Sequence, residues 1–224
     1  MEIAKTPEII YEDNHLLVVV KPQGIPVQKA ESSNDDFQSL LKDYLKRKYD
    51  KPGNVFLGIV HRLDQPVGGV MVFAKTSKAA SRLSEEIRQN LWKKQYLAVV
   101  DGVPKEKTAV LEDYLVKNEE KNEVYVSKKG DPKAKFARLS YETLGSKNGR
   151  SLLKITLETG RAHQIRVQLS SRGLPIVNDH KYNKNSKNIA DIALWAYSVE
   201  IIHPVTKEKL VFSKEIPENM RKLI

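Results

Sequence analysis

The stretch Val60-His61-Arg62-Leu63-Asp64-Gln65-Pro66-Val67-Gly68-Gly69-Val70-Met71-Val72-Phe73-Ala74 decides how this chain is read. Apolar residues flank a short polar run that holds one proline and two glycines, so the pattern is strand, turn, strand. The turn sets one carboxylate, Asp64, directly behind two basic side chains, His61 and Arg62. Burial between strands favours the neutral form of such a group, while the adjacent cations favour the ionised one. An ionised, poorly hydrated aspartate is what nucleophilic or general-base chemistry requires. The bland alternative is an aspartate that caps the turn or pairs with Arg62.

A second informative run lies far downstream, Thr159-Gly160-Arg161-Ala162-His163-Gln164-Ile165-Arg166-Val167. Its donors suit phosphates, carboxylates and base edges. Ala162, Ile165 and Leu169 recur at helical spacing, and Gly173 is a natural stop, so the sequence predicts a helix over 162–172. His163 and Arg166, three residues apart, then share a face.

Size and composition set the outer limits. The chain has 224 residues, enough for one sizeable domain with its own core, built from two lobes at roughly 1–104 and 105–224. The formal net charge of +10 favours a polyanionic partner, without naming any chemistry. Cysteine is absent, which excludes disulfide staples, thiolate zinc sites and a cysteine nucleophile. Histidines 15, 61, 163, 180 and 203 show no metal-ligand spacing. No apolar run approaches the ~20 residues that span a bilayer, and the N-terminus reads as no signal peptide, so no membrane and a cytoplasmic location are expected.

Along the chain, Leu16–Val20 is a continuous apolar run ended by Lys21-Pro22, which predicts a buried strand and then a turn-rich loop through Gly24. Phe37, Leu40, Leu41, Tyr44 and Leu45 predict a helix over 36–49, with Ser33, Asn34 and Asp35 as candidate caps. Ser77 to Asn90 predicts a second helix capped by Ser77, and 94–100 a strand containing Tyr96. From 109 to 157 the alternation predicts an antiparallel meander, with loops at 130–132 and 145–149. Two more strands are expected at 192–202 and 210–212. Trp92 and Trp195 read as packing residues. Lys128, Lys129, Lys133 and Lys135 cluster about a hairpin, as do Lys181, Lys184 and Lys187 in a polar loop. Such clusters suit phosphates but are most often merely solvated.

The two runs together resemble the RluA-type family of RNA pseudouridine synthases, over about residues 10–217. Lys21, Pro22, Gly24 and Val27 match the family's K-P-x-G-x-x-V loop. The resemblance implies an α/β (α+β) fold with a mixed, mainly antiparallel sheet, flanking helices and two lobes around a central cleft. It implies an enzyme that turns uridine into pseudouridine in structured RNA (rRNA or tRNA), as a monomer, with no cofactor and no metal. No S4-like RNA-binding domain is expected ahead of the core.

By the same resemblance Asp64 is the catalytic aspartate, Arg166 its ion-pair partner and Tyr96 the aromatic face for a flipped uracil. An anionic Asp64 serves either by attacking the sugar or by removing a ribose proton. A planar guanidinium at Arg62 suits the gap a flipped nucleotide leaves. His61, Arg161, His163 and Gln164 are expected as RNA contacts, with a structural role equally open. The chain departs from the family at Val67-Gly68-Gly69, where Thr-Ser-Gly is usual, at Ala162, at Leu194-Trp195-Ala196 and at Asn178-Asp179. The first of these motivates a rival reading, a non-catalytic RNA-binding or RNA-folding protein. A glycoside hydrolase, the other rival, lacks an evident second carboxylate.

Overall fold

A computed structural model describes residues 6–29, 36–186 and 191–224. The chain is mixed α/β with a large, mainly antiparallel sheet and few helices, as the family pattern implies. It divides into two compact units, Met1–Trp92 with Ser198–Lys214, and Lys93–Tyr197 with Glu215–Ile224.

The first unit begins with β1 (Glu8–Glu12), which sequence reading missed, paired antiparallel with β2 (Leu16–Lys21). All six residues of β2 are buried, so the apolar run is the buried strand it was expected to be. Helix α1 (Phe37–Lys48) follows and buries Phe37, Leu41 and Leu45. Its cap is Asp36, whose carboxylate accepts the Ser39 N–H, whereas the expected caps at 33–35 lie outside the described residues.

Short β3 (Gly58–Ile59) and β4 (Gly68–Ala74) pair with each other around the Asp64 turn, and β4 pairs along its length with β2. Helix α2 (Ser77–Arg88) is capped by Thr76 and not by Ser77. Thr76 has the extended backbone a cap requires, at φ −136° and ψ 152°. Val18, Val70, Val72, Leu83 and Trp92 belong to this unit's core.

The second unit is the predicted meander, with neighbours in the order β5-β9-β8-β6-β7. Its strands are β5 (Lys93–Asp101), β6 (Thr108–Asn118), β7 (Glu123–Ser127), β8 (Lys135–Lys147) and β9 (Arg150–Leu157). The expected loop at 145–149 is much shorter than predicted. Strand β8 carries on past Gly145, where the register shifts, and reverses at Asn148-Gly149. Both turn residues have positive φ, 53° and 74°, the hairpin geometry that matches strand twist.

Helix α3 (Gln164–Ser170) covers one face, and its Val167 packs with Ala137, Leu115 and Val124. Strand β10 (Leu194–Ile202) starts in this unit and ends in the first, where it pairs with β11 (Lys209–Ser213). The short α4 (Glu218–Arg221) closes the chain.

The unit boundary therefore falls before β5 and not at Pro104. Strand β5 pairs with β9 from Lys94 to Asp101, which ties the whole strand to the meander.

Leu153, in the middle of β9, is fully buried, while Val110 on β6 is half exposed. Leu153→Ala is expected to cost about 2–5 kcal/mol of unfolding free energy. Val110→Ala should stay within roughly 0.5 kcal/mol in the same denaturant titration.

Candidate active site

Asp64 stands at the start of a tight turn closed by the Val67 N–H donating to its own carbonyl at 3.0 Å. Leu63 beside it is buried and Arg62 is exposed, while Asp64 itself is half-buried. The chain thus anchors one side chain of this run in the core and turns the next outward. His61 does not reach for solvent. Its Nε2 accepts the Val72 N–H at 3.0 Å, and its ring meets Trp92 edge-on with centroids 5.3 Å apart. That acceptor role places the ring proton on Nδ1.

What holds the turn is the Lys21–Gly24 loop. The Lys21 side chain is fully buried, and its Nζ donates to the carbonyls of Pro22 (2.9 Å), Gln65 (3.1 Å) and Val67 (2.8 Å). Gln23 Nε2 reaches the Pro66 carbonyl at 3.2 Å, and the Gly24 N–H reaches that of Gln65 at 3.0 Å. Gly24, at φ +83°, supplies a backbone that other residues rarely adopt.

Val67 is buried and its carbonyl bonded, and Gly69 pairs with Lys21 at the start of β4. The turn is therefore restrained through the backbone carbonyls of Gln65 and Val67, which grip an ammonium. Burial pushes the Lys21 ammonium down to about 7, against the opposing pull of the Asp64 carboxylate.

The second unit carries the other expected residues. Tyr96 is almost fully buried on β5, beside Ile155, which in turn pairs with Tyr141. Residues that pair directly across antiparallel strands share a face, so the three side chains form one row. Ala137 lies on that same face, which is the one α3 covers.

Helix α3 is shorter than expected. His163 adopts the left-handed conformation at φ 49°, ψ 19°, so helical geometry begins only at Gln164. His163 is thus at the cap and not on a helical face with Arg166. The Tyr182 hydroxyl lies 2.7 Å from its Nδ1 and also accepts the Val124 N–H.

Gln164 is buried. Its Oε1 accepts from the Thr159 hydroxyl (2.8 Å) and the Arg161 N–H (3.0 Å), and its Nε2 donates to the Arg138 carbonyl (3.0 Å). Its amide shapes the Thr159–Arg161 loop instead of facing outward. Arg161 is exposed, with its Nε on the Phe136 carbonyl at 2.8 Å.

Arg166 is buried and forms a two-pronged pair with Asp179, Nε to Oδ2 and Nη2 to Oδ1, both at 2.8 Å. Its guanidinium also lies 5.1 Å from the Tyr182 ring centroid. Asp179 Oδ1 accepts the N–H groups of Lys181 and Tyr182 as well, so this carboxylate is richly bonded.

Sequence reading missed two of these residues as site elements. Lys21 was legible as a cation at the end of an apolar run. Asp179 was seen only as half of a loop departure, because its partner lies thirteen residues away with no helical spacing to link them.

The family model for RNA pseudouridylate synthases matches residues 15–171. The chain belongs to that family. It is 32% identical over 96% of its length to an uncharacterised RNA pseudouridine synthase, YhcT, of Bacillus subtilis, covering 70% of that protein. It is 34% identical over 90% of its length to ribosomal large subunit pseudouridine synthase C of Buchnera aphidicola subsp. Acyrthosiphon pisum, covering 65% of it. The D synthase of Zymomonas mobilis is 32% identical over 96% of this chain and 71% of that protein.

In fold it resembles human RNA pseudouridylate synthase domain containing 4, with a TM-score of 0.81, 24% identity and coverage of 96% of this chain and 90% of that one. Among the described residues no cluster of His, Cys, Asp or Glu could hold a metal, and no helix is long and apolar enough to cross a membrane. Lys187, one of the expected basic cluster, lies outside the described residues. Its neighbour Lys181 donates to the Asn122 carbonyl at 3.0 Å, steadying the β6–β7 turn.

The Lys21 contribution to stability has a definite sign. Below pH 7 both the native and the unfolded lysine are charged, so the full burial cost is present. As pH rises from about 7 towards the ordinary lysine value of 10.5, the native group has lost a proton that the unfolded one keeps. The unfolding free energy of the wild type should therefore climb relative to that of Lys21→Met between pH 7 and 10. Denaturant titrations at several pH values check this; parallel curves for the two proteins would remove the account.

Proposed function

We propose that this chain isomerises uridine to pseudouridine in structured ribosomal RNA, with Asp64, Tyr96 and Arg166 acting on one extruded nucleotide. The reaction breaks C1′–N1, turns the uracil and joins C1′ to C5. The C5 proton leaves and N1 gains one, so the change is an isomerisation with no net redox step. Asp64 serves either at C1′ as nucleophile or on a ribose proton as base, and both routes need an anion beside the sugar. The observation that carries the reading is the clamped Asp64 turn, in a chain of this family.

Each further residue has a role that fits its surroundings. Tyr96 offers a ring for the uracil, a stack worth about 1–3 kcal/mol. Arg166 is the counter-cation of Asp64 in this reading, with Asp179 holding its other edge so that little ordering remains to be done on binding. Exposed Arg62 takes the gap in the RNA stack, and exposed Arg161 a neighbouring phosphate. His61, His163 and Gln164 act behind these by shaping the two loops.

A ribosomal target is favoured over a tRNA because the relatives named for a target, the C and D synthases, are ribosomal large subunit enzymes. A ribosomal substrate fits a cytoplasmic location. One chain supplies every residue assigned here, so the monomer is the working unit.

Incubation with unmodified rRNA transcripts, followed by chemical mapping of pseudouridine, tests this. Asp64→Asn is expected to reduce turnover by at least roughly 10²–10⁴-fold while RNA binding persists. Binding by the wild type without any product would identify the non-catalytic rival, and released free base would identify a hydrolase. Tyr96→Phe should keep part of the activity, and Tyr96→Ala should lose about 5–150-fold, the equivalent of the stacking energy. Arg166→Met should lower kcat far more than RNA affinity, since phosphate contacts are shared among many cations. Equal losses in both would remove the ion-pair role.

A further inference from the structure

Among the described residues of the second unit, Lys94 is a charge that its surroundings do not explain. Lys94 lies two residues before Tyr96 on β5, so both side chains leave the strand on the same face. Its cross-strand partner is Leu157, and Leu157 pairs with Leu139, so the row around its stem is apolar. Burial in that row holds its ammonium below the usual lysine range, and no carboxylate offsets the effect. Among the described residues, other cations largely withdrawn from water are matched. Lys21 has three carbonyls, Lys75 has Glu12 at 2.8 Å and Arg166 has Asp179. Among the described residues Lys94 has no such partner.

The ammonium does have a defined outlook. Its Nζ sits 3.6 Å from the point where a Cβ at residue 160 would stand. Residue 160 is glycine and exposed, so no side chain there covers the ammonium. Arg161 follows directly, exposed, and Gln164 fixes the loop that carries both.

We infer that Lys94 is a binding residue for a backbone phosphodiester of the RNA beside the target nucleotide, positioned by the juxtaposition of its Nζ with Gly160 and its shared face with Tyr96. The inference rests on the functional reading above and names the group of that substrate which this position takes. A desolvated cation without an internal counter-charge is costly. A full negative charge offsets that cost best, and of the groups on an extruded nucleotide only the phosphodiester carries one. The uracil carbonyls and ribose hydroxyls are neutral. Lys94 then completes with the ligand the pairing that the fold withholds, while Tyr96 two residues on stacks the base.

The test uses the full chain with an unmodified rRNA transcript and an otherwise identical transcript bearing neutral methylphosphonates at the linkages flanking the target uridine. Lys94→Met is expected to raise KM for the transcript by about 10–100-fold, with a smaller fall in kcat. The slope of log affinity against log salt should become shallower by about one. Lys94→Arg should recover part of the loss. The methylphosphonates should weaken the wild type by a similar factor and leave Lys94→Met little changed.

The thermal midpoint of Lys94→Met should equal or exceed that of the wild type, since a desolvated charge has been removed; a merely structural lysine would lower it. A productive wild type whose Lys94→Met variant matches it in KM, salt slope and methylphosphonate response overturns the assignment of Lys94 alone. A wild type that binds the transcript and yields no pseudouridine overturns the functional reading instead.

Discussion

The rest of the first unit's site depends on a single buried ammonium. Lys21 ends the buried strand β2, fully out of water, and its three N–H groups meet three backbone carbonyls. Two of those carbonyls belong to the turn that begins at Asp64. A charge in a low-dielectric interior is tolerated only where acceptors surround it. The turn therefore cannot drift from the strand without stranding that charge. This explains how Val67-Gly68-Gly69 keeps a defined geometry with no hydroxyl side chain: the restraint acts on carbonyls, which every residue has.

The second unit solves a similar problem with side chains. Asp179 grips one edge of the Arg166 guanidinium and is itself held by two backbone N–H groups. His163 sits in a left-handed backbone conformation that costs a non-glycine residue about 1–3 kcal/mol. Such strain persists where neighbours over-determine it, and here the Tyr182 hydroxyl on Nδ1 and the Gln164 amide in the preceding loop do so. The outcome is a short helix whose first turn is set by side chains of the loop before it. Lys94 stands out against this background because the row around its stem, Leu157 and Leu139, is apolar.

Much of the architecture was legible from period and punctuation. The run Leu16–Val20, the strand after the glycines at 68–69 and the meander from 109 to 157 all formed as their patterns predicted, because strands buried on one or both faces leave a plain hydrophobic record. The misses have local causes. Thr76 took the cap that Ser77 was expected to fill, since two adjacent hydroxyl residues compete and only backbone geometry separates them. Asn148-Gly149 took the reversal that a five-residue loop was expected to make. The unit boundary moved to Trp92 because β5 pairs with a strand more than fifty residues later, a link with no local signal.

The sequence by itself determined the fold class, the family and the identity of the residues around Asp64 and Arg166, because side-chain type and short-range spacing are written directly in the chain. Tertiary structure alone decided that Lys21 clamps the Asp64 turn, that Asp179 holds Arg166, and that Gln164 and His61 look inward. Those outcomes depend on which donors and acceptors are left facing one another once water has gone. That is a property of packed surfaces, and no spacing along the chain encodes it.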